Sequence, residues 1–229
     1  MKKEIWDDYS SIFPLNGIRM VFSNKKADIK KPSDLISLSD LVGLNSDNII
    51  NINQIHSSKI IMVKTPGNYD AADGIINDGG NLVCSIKVAD CLPIYFVNNN
   101  TKTIGLVHAG WRGLSLGIIN EFANNINNYK EITSDYYVLI GPSIQSCCFE
   151  IKDDVLASFD SRFYKQIGNN SYKVNLQEWA VHQLMDIGID KKNISVIDRC
   201  TYCLDTIYHS YRRNGQDAGR MYALIGWSN

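Results

Sequence analysis

Three short apolar runs, each breaking into a turn, carry His56 (NQIHSS), Cys91 (VADCLPI) and His108 (VHAGWRG). Cys91 lies 35 residues after His56, and His108 lies 17 after Cys91, so no local loop contains all three. Only a folded sheet brings such a set together. Two imidazoles and one thiolate suit zinc, and three protein ligands leave a fourth tetrahedral position for water or substrate, the pattern of a catalytic site rather than a structural clip. Taken singly, a histidine at a strand end is usually a hydrogen-bonded structural residue, and a cysteine a small buried apolar group. The trio is a metal candidate only through the fold that would assemble it.

The surrounding sequence predicts that fold. Ile18–Ser23 (IRMVFS) and residues 49–55 have the β-branched, alternating character of strands, with a short helix between them over 34–44 that ends near Gly43. If the second strand continues, Ile52, Gln54 and His56 share one face and Gln54 neighbours His56. Residues 81–88 run on as ADCLPIYFV, a central strand with a break expected near Pro93, because proline donates no ladder hydrogen bond. Residues 103–107 form a buried strand that delivers His108. A helix over 113–127 follows, since Leu114, Ile118, Phe122 and Ile126 recur every four residues. Further strands are expected at Tyr136–Ile140, 194–198 and Met221–Trp227, with a helix over 153–159. Another helix opens on an Asn175-x-x-Glu178 capping box and ends at Gly188. Strands interleaved this unevenly with helices indicate one α/β sandwich with a mixed sheet, spanning 1–229 as a single domain.

Composition narrows the function classes. With 23 basic and 24 acidic residues the net charge is −1, so there is no overall basic face and no nucleic-acid partner is expected. The N-terminus has charges without an apolar segment after them, and no run approaches a membrane span; the expected location is cytoplasmic. Six cysteines are then buried, metal-binding or reactive rather than paired in disulfides.

Two arginine-bearing turns suit an anion. In VHAGWRG, small residues let backbone approach a ligand, Trp111 offers a stacking face and Arg112 sits at a helix start; a packing turn with a surface arginine is the alternative. In SYRRNGQDAGRM, Arg212, Arg213 and Arg220 flank Gly215 and Gly219, with one of Arg212 and Arg213 expected to reach a site. Cys200-Thr-Tyr-Cys203 has the spacing of a redox pair or half a zinc ribbon, but a ribbon needs a second spaced pair and Cys147 and Cys148 are adjacent. The motifs of zinc proteases, cytidine-type deaminases, serine hydrolases and common nucleotide folds are missing from the sequence.

Taken in order, QIH, ADG, ADCLP, HAGWRG, GPSI and CTYC with SYRR-G and GRM resemble the YfiH-type family, also called the laccase-domain or purine nucleoside phosphorylase family. The likeness extends from about residue 50 to the end; before it, FSNKKADIKKPSDLISL departs from the glycine-containing pattern of the family. The resemblance implies a three-layer α/β/α sandwich related to a bacterial cysteine-dependent toxin deamidase, and zinc held by His56, Cys91 and His108, which also serve as the catalytic residues. It implies phosphorolysis of adenosine, inosine and methylthioadenosine, with adenosine deaminase activity. Substrate contacts then fall to Gln54, Arg112 and Arg212, the arginines on phosphate, with Gln54 and Asp90 available for support or proton transfer. Other members are linked to polyphenol oxidation and to editing of peptidoglycan precursors, so a cysteine-type amidase with Cys91 as nucleophile is the alternative, as is a non-enzymatic zinc-stabilised module. Copper is the other candidate metal, but a multicopper site needs many imidazoles and this chain has four histidines and no H-x-H pair.

Overall fold

The computed structural model describes residues 5–228; the charged start of the chain, residues 1–4, and residue 229 lie outside. Two six-stranded mixed sheets face each other. The first runs in the order β1 (Trp6–Asp8), β2 (Ile18–Ser23), β15 (Met221–Trp227), β7 (Val83–Val88), β3 (Ile49–Ile52) and β5 (Gly67–Tyr69). The second runs β14 (Ile194–Val196), β10 (Tyr136–Ile140), β8 (Leu92–Asn98), β9 (Ile104–Ala109), β6 (Gly74–Asn77) and β4 (Ile60–Met62). A small antiparallel sheet of β11 (Glu150–Ile151), β13 (Ser171–Val174) and β12 (Tyr164–Gly168) lies apart from both.

Side-chain alternation explains the layering. Along β2, Met20 and Phe22 enter the core between the sheets while Val21 packs outward with Leu35, Leu38 and Val42 around α1 (Pro32–Leu41). Along β8, Tyr95 and Val97 face the first sheet, whereas Ile94 and Phe96 face the helices α3 (Ile118–Asn128) and α5 (Leu176–Asp186). Both sheets are thus covered on both faces, which is why their central strands read as continuous apolar runs. The order is helix, sheet, sheet, helix. This differs from the expected three-layer α/β/α sandwich: the inner faces of β2, β7 and β15 pack against the second sheet, where that arrangement would have placed helices.

Three other expectations change. Proline 93 does not break the strand but lies inside β8, opposite His108, and its carbonyl accepts from Gly141 N–H at 2.9 Å. Its missing donor is harmless because the ladder to β10 begins only at Ile94. The break falls earlier, at residues 89–91. The helix expected over 113–127 is two, α2 (Trp111–Ser115) and α3, separated by Gly117 at φ 79°, a left-handed conformation that favours glycine. Leu114, Ile118, Phe122 and Ile126 nevertheless all reach one core. Finally, β3 stops at Ile52, so the shared face of Ile52, Gln54 and His56 does not form. The remaining helices are α4 (Asp153–Leu156) and α6 (Tyr211–Asn214).

Candidate metal centre

His56 and Cys91 lie on segments that cross between the sheets, His56 from β3 to β4 and Cys91 from β7 to β8, while His108 is the penultimate residue of β9. One nitrogen of each imidazole and the Cys91 sulfur lie within 4.8 Å of one another. The two rings meet edge to face with centroids 4.9 Å apart. His108 is buried, Cys91 half-buried and His56 exposed, so the trio opens to one side.

Local backbone geometry serves this convergence. His56 has φ 60° and Asp90 φ 87°, both in the left-handed region that side chains seldom adopt and that surrounding contacts must enforce. At His56 the enforcing group is Asp73, fully buried just before β6. Its carboxylate accepts from the N–H groups of Ile55 (3.3 Å), His56 (3.0 Å) and Ser57 (2.6 Å), and from the Ser57 hydroxyl (2.7 Å). It also meets His108 Nδ1 at 2.9 Å, leaving Nε2 to face the sulfur. One carboxylate therefore sets both imidazoles. Asp73 is the functional residue that sequence reasoning passed over; its signal was the ADG motif immediately before a buried apolar run. Gly110 completes the pocket, since a Cβ there would stand 2.8 Å from Cys91 Sγ and 3.8 Å from His56 Cδ2.

The electrostatics favour a thiolate. Burial alone would push the Cys91 thiol up, but the charge and N–H of His108 and a hydrogen bond from His56 pull it down to about 6. Burial likewise opposes charge on His108, yet the Cys91 sulfur and Asp73 raise it to about 9. Against its own burial, Asp73 is held down to about 2 by the hydrogen bonds from His108 and Ser57. A deprotonated sulfur and two oriented imidazoles are the donor set zinc takes, so the residues present fit the metal.

The trio floors a cleft of about 920 Å³. Lys87, Arg112, Arg212 and Arg220 bring positive charge to its walls, and Trp111, Phe149 and Tyr211 bring aromatic faces. Arg112 stacks on Trp111 at 4.3 Å; Arg212 lies 5.2 Å from the Phe149 ring and donates to the Glu150 carbonyl at 2.7 Å. Arg213 turns away and donates to the carbonyls of Thr201, Tyr202 and Tyr208. Gln54 lines the cleft, but its amide is engaged with both backbone groups of Lys87 at 2.9 Å. Asp90 does not face the trio: its carboxylate accepts from the Thr201 and Ser210 hydroxyls and the Arg212 N–H, tying the C-terminal arginine segment to the residue before Cys91. Of the other histidines, His182 pairs with Asp186 on α5, and Gly219 packs against His209, so neither joins the trio.

The family described as multi-copper polyphenol oxidoreductase laccase matches residues 23–228. The chain belongs to this family. Within the laccase family, it is 35% identical over 162 residues to the purine nucleoside phosphorylase YlmD of Geobacillus stearothermophilus, covering 67% of this chain and 59% of that one. It is 28% identical over 220 residues to the purine nucleoside phosphorylase YlmD of Bacillus subtilis, covering 89% and 78%. The crystal structure of the Bacillus licheniformis hypothetical protein YfiH superposes with a TM-score of 0.85 at 25% identity over 93% of each chain. The mixed α/β architecture is therefore that of the YfiH and YlmD proteins. No helix among the described residues is long and apolar enough to cross a membrane.

Proposed function

We propose that this laccase-family chain is a cytoplasmic, zinc-dependent purine nucleoside phosphorylase acting on adenosine, inosine and methylthioadenosine, with adenosine deaminase activity. The observation that carries the reading is the convergence of His56, Cys91 and His108 at the floor of a cleft whose walls combine four cationic side chains with aromatic rings. His56, Cys91 and His108 hold the zinc, which supplies Lewis acidity for hydrolytic attack at purine C6. Trp111, Phe149 and Tyr211 offer apolar faces to a purine, and Gln54 borders the same space. Arg112 and Arg212 orient phosphate toward C1′, so that a phosphate oxygen forms the new bond as the bond from C1′ to the base nitrogen breaks. The base leaves with that electron pair and takes a proton. Asp73 keeps His108 in one tautomer throughout.

Product analysis with adenosine and phosphate tests this. Ribose 1-phosphate with adenine supports phosphorolysis, inosine with ammonia supports deamination, and neither product from zinc-loaded protein overturns the reading. Cys91→Ala should abolish both.

A second reading rests on Asp73, His108 and Cys91 as a chain of orienting carboxylate, imidazole and lowered thiol, the constellation of a cysteine-type amidase acting on a peptidoglycan precursor. The proposed likeness to cysteine-dependent toxin deamidases belongs to this reading. Alkylation separates the two: a metal-held sulfur resists iodoacetamide until a chelator is added, whereas a free catalytic thiolate reacts at once.

A further inference from the structure

On the far side of Arg212 from the trio, four more cysteines converge. Cys147 and Cys148 lie in the loop after β10, and Cys200 and Cys203 in the loop after β14. Their four sulfurs lie within 4.8 Å of one another, with Cys147 and Cys148 at 3.6 Å, Cys147 and Cys203 at 3.7 Å, and Cys148 and Cys203 at 3.2 Å. A tetrahedral ion with bonds of about 2.3 Å to sulfur requires sulfurs separated by about 3.8 Å, so the cluster needs only small adjustments to close on a metal. The adjacency of Cys147 and Cys148, which argues against a zinc ribbon in sequence, is no obstacle in space because the chain turns there.

The surroundings are those of a ligand knuckle. The backbone N–H of Gln145 donates to Cys200 Sγ at 3.5 Å, and the N–H groups of Tyr202 and Cys203 aim at the same sulfur. Ser143 and Cys200 form a bridge that zips the two loops, and Arg213 clamps the carbonyls of Thr201 and Tyr202. Lys152, Lys173 and Arg212 border the cluster and offset the negative charge of an ion held by four thiolates.

We infer that Cys147, Cys148, Cys200 and Cys203 form a second, structural zinc site, closed by four thiolates and separate from the His56–Cys91–His108 centre. Binding displaces the thiol protons to solvent without redox change. The site joins two loops that build one wall of the cleft: Phe149 follows Cys148 directly, while Thr201, next to Cys200, shares Asp90 with Arg212. Its occupancy holds that wall together whatever reaction the cleft performs.

Metal analysis of the full-length reduced protein after zinc loading and desalting tests the inference. Wild type should carry two zinc ions per chain, Cys91→Ala one, and the double variant Cys147→Ser with Cys203→Ser also one. Cobalt in Cys91→Ala should give the intense sulfur-to-cobalt absorption of a tetrathiolate, and chelation should expose Cys203 to iodoacetamide. The wild-type stoichiometry and the Cys91→Ala spectrum decide the matter even if the double variant does not fold. A Cys91→Ala protein without bound metal, iron in place of zinc, or a Cys148–Cys203 disulfide in protein kept under reducing conditions overturns it. None of these readouts depends on nucleoside turnover.

Discussion

Asp73 concentrates more of the site's order than any of the three ligands. Removing its charge leaves three backbone N–H groups around residues 55–57 and His108 Nδ1 with a weaker acceptor. Asp73→Asn should weaken zinc binding at the trio about 10- to 100-fold, the usual cost of losing a partner that orients a ligand; competition titration with a chromophoric chelator measures it, and unchanged affinity would refute the assignment. The same carboxylate carries a pH signature. Because folding lowers its pKa from 3.8 to about 2, its stabilisation is complete above about pH 4 and is lost as pH falls toward 2. The difference in urea midpoint between wild type and Asp73→Asn should therefore shrink between pH 5 and pH 3. Cys91 supplies a second titration. In metal-free protein its lowered thiol should alkylate with a rate that rises with pH to a half-maximum near 6 rather than 9, and a midpoint near 9 would show that His108 does not support the thiolate.

Elements whose period matches their environment were legible in the sequence, and those without such a period were not. Ile18–Ser23, Tyr136–Ile140 and Met221–Trp227 stand where their apolar alternation placed them, because each is an interior strand of a sheet buried on both faces. The helix capped by Asn175, whose side chain accepts from Glu178 N–H at 3.1 Å, also stands where its start and stop residues set it. By contrast β12 is largely exposed and β13 half-buried; they carry lysine and glutamine, pair with each other and touch the core through Tyr164, Tyr172 and Val174, a pattern with no apolar alternation to reveal it. The donor trio was readable as chemistry, since its residue types are those of a metal site, whereas Asp73 and the four-thiol cluster needed the third dimension. Gly110 shows how closely element geometry and site geometry are joined. Its φ of −76° tolerates any side chain, so Gly110→Ala should leave α2 intact, yet the new Cβ would crowd Cys91 Sγ. Zinc affinity at the trio should fall on the order of tenfold or more with an unchanged circular dichroism spectrum. Normal affinity in that variant would mean that the ligands do not need this close approach.

At the scale of the whole molecule, the trio sits at a seam. His56 and Cys91 belong to crossings between the two sheets, and His108 to the end of a strand in the second sheet, so an ion held by all three fastens the sheets to each other at one end of their shared core. Charge is distributed with the same economy: a chain with net charge −1 gathers four cationic side chains around one cleft. Zinc that binds the folded chain and not the unfolded one stabilises it by mass action. At about a hundred times the dissociation constant the gain is about 2.7 kcal/mol, and a domain of this size gains about 2 to 4 °C per kcal/mol, so the melting temperature should rise by roughly 5 to 11 °C from the trio alone. The four-thiol cluster would add its own shift, and the Cys91→Ala variant removes that ambiguity: the trio's share is the zinc-induced shift of wild type minus that of the variant, read by differential scanning fluorimetry. A shift of equal size in both proteins would mean that His56, Cys91 and His108 do not hold an ion across the seam.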